Sequence, residues 1–136
     1  MKKRSYYGSY HLKDTGAWKA FSKYIRARDK RCVSCPTGLA ENAGHYFAGS
    51  VCGKGLFFSE INVNGQCSFN CNRMKHGNIP EYTLYLQNKY GLDIIQKLEA
   101  GRKKEKAEGI ICRYYPEELK EIERTYQQKL LDLETE

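Results

Sequence analysis

Cys32-Val33-Ser34-Cys35 and Cys67-Ser68-Phe69-Asn70-Cys71 are the stretches on which the reading of this chain turns. They form two close thiol pairs separated by 31 residues. That pattern suits a structural zinc ion, which needs four sulfurs converging tetrahedrally at about 2.3 Å. The N-terminus agrees with a metal rather than a disulfide framework. Met1-Lys2-Lys3-Arg4 starts basic but runs into Ser5-Tyr6-Tyr7-Gly8, with no apolar central region and no small-residue cleavage site. The expectation is a cytoplasmic protein with reduced thiols; a secreted chain would leave six cysteines with 15 ways to pair. Cys52 and Cys112 lack close partners and read as buried thiols, although Cys52 is able to replace one member of the second pair.

Outward from the cysteines the patterning changes. Between the pairs, Gly38, Gly44, Gly49, Gly53, Gly55 and Gly65 break short apolar runs, which predicts turns and short strands, with Leu56-Phe57-Phe58 the best strand fragment. Upstream, Trp18, Phe21 and Ile25 recur at i, i+3 and i+7 behind the capping residues Asp14-Thr15. They predict an amphipathic helix over 16–30 whose other face holds Lys19, Lys23, Arg26 and Lys30. Downstream, Asn78-Ile79-Pro80-Glu81 reads as a helix start capped by Asn78, with Tyr82, Tyr85, Leu86 and Tyr90 at helical spacing and Gly91 as its stop. Asp93 opens another helix carrying Ile94, Ile95 and Leu98, and residues 101–109 read as a charged surface connector. Pro116-Glu117-Glu118 begins the last helix, whose stripe Leu119, Ile122, Tyr126, Leu130, Leu133 suits core packing or a homodimer.

The class is therefore α+β, in one domain of 136 residues: a basic segment 1–31, a cysteine-bound core 32–78 and a helical part 79–136. No apolar run approaches the roughly 20 residues that span a bilayer, so no membrane partner is expected. The net charge of +7 is unevenly placed. Residues 1–31 carry ten Lys and Arg against Asp14 and Asp29, whereas from Glu117 onward seven acids face three bases. Basic residues interleaved with Tyr6, Tyr7, Tyr10, Trp18 and Tyr24 suit nucleic acid, because cations displace counterions from phosphates and rings stack on exposed bases.

Between and just after the cysteine pairs come Asn42-Ala43-Gly44-His45-Tyr46, Asn62-Val63-Asn64-Gly65-Gln66 and Cys71-Asn72-Arg73-Met74-Lys75. A His, a central Asn, and a further Asn or His on the following helix stand in the order of the HNH, or ββα-metal, nuclease motif. With Cys-Val-Ser-Cys, Ala-Gly-His-Tyr, Asn-x-x-x-Gln-Cys, Cys-Asn-x-x-Lys and Gly-Asn, the stretch resembles the NinG (Rap) family of lambdoid phage recombination endonucleases. The similarity covers roughly residues 17–134. The longer members carry a further basic region at the N-terminus, which this chain is expected to stand without.

The resemblance implies a zinc-stapled, HNH-like core flanked by an N-terminal basic helix and C-terminal helices. It implies hydrolysis of phosphodiester bonds in branched DNA such as Holliday junctions and D-loops, inside the phage's host cell. Carried over by position, His45 is the general base, Asn72 binds the catalytic Mg²⁺ or Mn²⁺, and Asn62 holds the loop that orients the histidine. Cys32, Cys35, Cys67 and Cys71 ligate zinc, while Lys19, Lys23, Arg26, Arg73 and Lys75 meet DNA. His76 is a weaker phosphate contact, and His11 lies in an uninformative segment.

The chemistry is coherent on its own terms: in-line attack by water needs a neutral imidazole to take its proton and a hard cation to offset charge on the phosphate. Two positions weaken the carry-over, the first departing from the usual HNH site and the second from the family's knuckle spacing. Gly44 stands where an acid normally precedes the base histidine, leaving Glu41, Asn42, Glu60 or Asn64 to supply an oxygen, and the second knuckle is C-x3-C rather than C-x2-C. Gly44 is the feature that favours a non-catalytic, zinc-stapled DNA-binding protein. An HNH endonuclease of ordinary duplex DNA is the third reading.

Overall fold

The computed structural model describes residues 7, 8 and 11–136, with only the backbone at Tyr7. Lys2, Lys3, Arg4, Tyr6 and Tyr10 of the expected polyanion-binding segment lie outside these residues, as does the Tyr7 side chain. The elements in chain order are β1 (Tyr7–Gly8), a 3₁₀ turn (Leu12–Asp14), α1 (Gly16–Asp29), β2 (Asn42–His45), α2 (Lys54–Phe57), β3 (Val63–Gln66) and a π-helical turn (Ser68–Met74). There follow α3 (Ile79–Tyr90), α4 (Ile94–Ala107), β4 (Arg113–Tyr114) and α5 (Pro116–Glu134). Two antiparallel pairs, β1 with β4 and β2 with β3, make this a mixed α+β fold with a helical majority.

α1 begins where the sequence predicts, because the Thr15 hydroxyl accepts the Trp18 N–H at 3.2 Å. Its apolar stripe sinks Trp18, Phe21 and Ile25 into the core. There Phe21 meets Tyr126 of α5 edge to face at 4.7 Å and Phe58 at 5.5 Å. Burying a side chain of this size is worth about 2–3 kcal/mol, so the α1–α5 seam is a principal source of stability. The last residues of α1 are tied to the hairpin. Arg28 grips Asp29, the Glu60 and Val63 carbonyls and Asn64 Oδ1. Asp29 in turn accepts the Gly65 N–H at 2.7 Å.

Three expectations need correction. Leu56-Phe57-Phe58 is not a strand: Gly53, at φ +75, turns the chain into the short helix α2, and Leu56 and Phe57 are buried from there. Residues 101–107 are not a connector but the second half of α4, where Lys, Glu and Ala are good helix formers and Arg102 pairs with Glu99 at 2.6 Å one turn back. Asn78 does not cap α3 through its side chain; it sits in the left-handed region at φ +48, and its amide serves the cysteine cluster instead.

In the β2–β3 hairpin, Asn42 pairs with Gln66, Ala43 with Gly65, Gly44 with Asn64 and His45 with Val63. Side chains alternate between faces, so Ala43, His45 and Val63 look one way and Asn42, Gly44, Asn64 and Gln66 the other. All of β3 is buried despite its polar residues. No helix of the described residues is long and apolar enough to cross a membrane.

Candidate metal centre and the adjoining histidine

Cys32, Cys35, Cys67 and Cys71 converge with their sulfurs within 4.8 Å of one another. Sulfurs at 2.3 Å from a tetrahedral zinc stand roughly 3.8 Å apart, and Cys35 and Cys67 lie at 3.7 Å. The donor set thus fits a zinc ion as far as ligand type and spacing test it. Donors surround the sulfurs: the Cys71 N–H points to Cys67 Sγ at 3.3 Å, Asn78 Nδ2 to Cys71 Sγ at 3.5 Å, and Ser34 Oγ lies 3.4 Å from Cys32 Sγ. Burial pushes the Cys32 thiol up, but the Ser34 hydroxyl and nearby N–H groups outweigh it and bring it down to about 6. Gly38 has to be a glycine, since a Cβ there would lie 2.6 Å from the Cys67 Cβ and 3.1 Å from Cys35 Sγ. Cys52 and Cys112 stand outside the cluster; burial raises both, to about 12 and about 11.

The extra residue of the second knuckle is absorbed by π winding. The Asn72 N–H bonds the Cys67 carbonyl at 3.1 Å and the Lys75 N–H bonds that of Asn70 at 3.0 Å, both five residues back. Both cysteines therefore stay in the cluster, and Asn72 leaves it on a turn that packs beside β2. The Asn72 side chain is half-buried.

His45 ends β2 with its imidazole stacked on the Trp18 indole, centroids 5.1 Å apart and 13° from parallel. Its Nε2 lies 2.9 Å from the Phe57 carbonyl, which accepts but cannot donate, so the proton sits on Nε2 and Nδ1 carries the lone pair. Nδ1 is buried and meets no hydrogen-bond partner. Burial first, then the nearby Lys13 charge, lower the imidazole to about 4 despite the Phe57 bond. Asn62 is fully enclosed and spans the loop after β2: its amide donates to the Phe47 and Leu56 carbonyls and its oxygen accepts the Phe47 N–H at 2.8 Å. Leu56 precedes the residue that orients His45.

The expected DNA-contacting residues divide between two surfaces. Arg73 and Lys75 are exposed on and after the π turn, beside exposed Phe69 and Met74. Lys19 and Lys23 line a groove of about 580 Å³ between α1 and α5 that also holds Glu123 and Glu134, and the Arg26 guanidinium folds back to the Ser22 carbonyl at 3.3 Å. Sequence reading missed Lys13, whose Nζ lies 5.5 Å from the Trp18 ring, and the role of Trp18, which reads in the sequence as core and as a base-stacking ring but is buried against His45. It also missed Gln66, a buried polar residue on a strand without alternation.

The chain is 35% identical to protein ninG of Salmonella phage P22 over 129 residues, 92% of this chain and 58% of that protein. It is 34% identical to the ninG proteins of Escherichia phage 933W and Escherichia phage lambda over equal lengths. It spans about three-fifths of the length of these curated relatives. No solved structure matches it. The family described as bacteriophage lambda NinG protein matches residues 1–136, and the chain belongs to that family.

Proposed function

We propose that this chain is an HNH-type, metal-dependent endonuclease that hydrolyses phosphodiester bonds in branched DNA, with His45 as general base. The observation that carries the reading is the single tautomer of His45: Nε2–H is committed to the Phe57 carbonyl, which leaves an unshared lone pair on Nδ1. In the reaction His45 Nδ1 takes the proton of the attacking water, and the Phe57 carbonyl steadies the imidazolium that results. Asn62 keeps Phe57 in place by pinning the loop from Phe47 to Leu56. Asn72 is the residue that would hold Mg²⁺ or Mn²⁺, which when bound offsets charge developing on the phosphate. Arg73 and Lys75 hold the backbone phosphates, and the zinc cluster fixes the turn that presents them. The four thiolates fill the zinc shell, so that ion acts as a staple.

The test is cleavage of a labelled four-way junction and its linear duplex by zinc-loaded protein with added Mg²⁺ or Mn²⁺, using wild type and His45→Ala together. Junction-selective cutting, at least a hundredfold lower in His45→Ala with zinc and DNA binding retained, is expected. Equal cutting of the duplex would make it an ordinary duplex endonuclease. A second reading, a non-catalytic DNA-binding protein, is favoured by the burial of the His45 ring between Trp18 and Phe57; tight binding without cutting under either cation would establish it.

A further inference from the structure

Phe21, Phe47, Phe57 and Phe58 each pack against another ring in or beside the core. Phe69 does not share that environment: it is 67% exposed and belongs to neither cluster of packed apolar residues. It stands at the middle of the knuckle Cys67-Ser68-Phe69-Asn70-Cys71, so the two cysteines that enter the metal cluster hold the backbone on either side of it. Met74 lies five residues on, one π turn along the same segment, and is 59% exposed. A phenylalanine has only two side-chain torsions, and here its backbone is fixed by the cluster, so little freedom remains to be lost when something covers the ring.

The charge around the ring decides what fits it. Residues 68–80 carry Arg73 and Lys75, both exposed, and no acid. Of the acids packed near this segment, Glu41 accepts the Ser68 N–H at 3.1 Å and Glu81 shares a groove with Lys75. An apolar ring among cations suits a polyanion that also offers flat apolar faces: the cations take phosphates and the ring takes a base. Inside a continuous duplex each base is covered above and below by its neighbours. Where strands part at a branch the stack is interrupted and a base face is open to a ring.

We propose that Phe69 stacks on a base left uncovered where the strands of a branched DNA part, while Arg73 and Lys75 hold the flanking phosphates; this rests on the reading of the chain as a protein of branched DNA, and supplies the residue that tells branch from duplex. Met74 adds a pliable apolar side chain to the same turn.

The experiment measures binding of the zinc-loaded chain to a labelled four-way junction and to its linear duplex by fluorescence anisotropy, without added Mg²⁺ or Mn²⁺, for wild type, Phe69→Ala, Phe69→Leu and Phe69→Trp. Zinc content and Trp18 fluorescence report the fold. Phe69→Ala should bind the junction at least fivefold more weakly and the duplex within twofold of wild type. Phe69→Leu, apolar but without a ring, should stay weak, and Phe69→Trp should restore junction affinity, with its added indole fluorescence quenched by junction and not by duplex. Equal losses on junction and duplex, or wild-type junction affinity in Phe69→Ala or Phe69→Leu, would overturn the proposal and leave the exposed ring to a protein partner. A selective loss in a protein that binds junctions without cutting them keeps the stacking residue and removes the nuclease. Unchanged junction affinity in Phe69→Ala with cutting intact removes the stacking residue and leaves the nuclease, and a wild type that binds neither DNA removes both.

Discussion

His45 is held neutral by where it sits, and the consequence is a pH dependence of definite sign. Burial lowers its pKa to about 4, below the 6.5 of an exposed histidine. As pH falls the unfolded chain therefore takes up the proton first. The stability this residue allows is complete above about 6.5, declines between 6.5 and 4, and is lost by about 3 kcal/mol below that. Urea denaturation of wild type and His45→Gln across pH 4–7 should show this loss in the wild type alone. Under the proposed function the same group would set the acid limb of cleavage, so kcat/KM should owe no change to His45 between pH 6 and 8 and should fall only as the pH approaches 4 to 5. Trp18, the single tryptophan, is stacked on the ring, and its quenching by the imidazolium gives an optical titration of the same event. Asn62 makes a companion case. Asn62→Ala strands the Phe47 N–H and two carbonyls in the interior, an expected loss of about 2–4 kcal/mol by denaturant titration.

The turn that closes the cysteine cluster shows at the scale of an element what spacing foretells and what it leaves hidden. Two thiol pairs were legible because chelation depends on residue type and separation, and α1, α3 and α5 because a buried stripe repeats every turn. β3 was not, since Val63-Asn64-Gly65-Gln66 is buried with no apolar alternation; Arg28 and Tyr82 bond the Asn64 amide, Ser34 and Gly77 accept from Gln66 Nε2, and no local signal encodes distant partners. Leu56-Phe57-Phe58 misled for the related reason that a short apolar run fits a buried helical turn as well as a strand. Nor does spacing reveal the π winding that accommodates C-x3-C. Asn78 was read as a cap, yet its amide joins Cys71 Sγ to the Ser34 carbonyl at φ +48. Asn78→Gly keeps that backbone unstrained and removes only the amide. Zinc affinity, measured by competition with a chelator, should fall about ten- to a hundredfold with the fold retained. Unchanged affinity would show that the amide has no hold on the metal.

At the scale of the molecule, charge among the described residues is sorted by surface, and under the proposed function the sorting decides which side-chain cations meet DNA. α5 brings Glu123 and Glu134 to the groove that holds Lys19 and Lys23, so a phosphate approaching those lysines also meets carboxylates. Arg73 has no acid within the π turn, Lys75 meets one carboxylate, Glu81, in its groove, and both follow a segment anchored at Cys67 and Cys71. A phosphate bound by a preorganised side chain releases counterions at little cost in ordering, whereas binding offset by a neighbouring carboxylate gains less. Arg73→Ala/Lys75→Ala should therefore weaken junction binding more than Lys19→Ala/Lys23→Ala, and should reduce the slope of log affinity against log salt by about one for each phosphate no longer neutralised. Fluorescence anisotropy over a range of salt concentrations measures both quantities. A larger slope change in the α1 pair would place the DNA along the basic helix and away from the turn that closes the cysteine cluster.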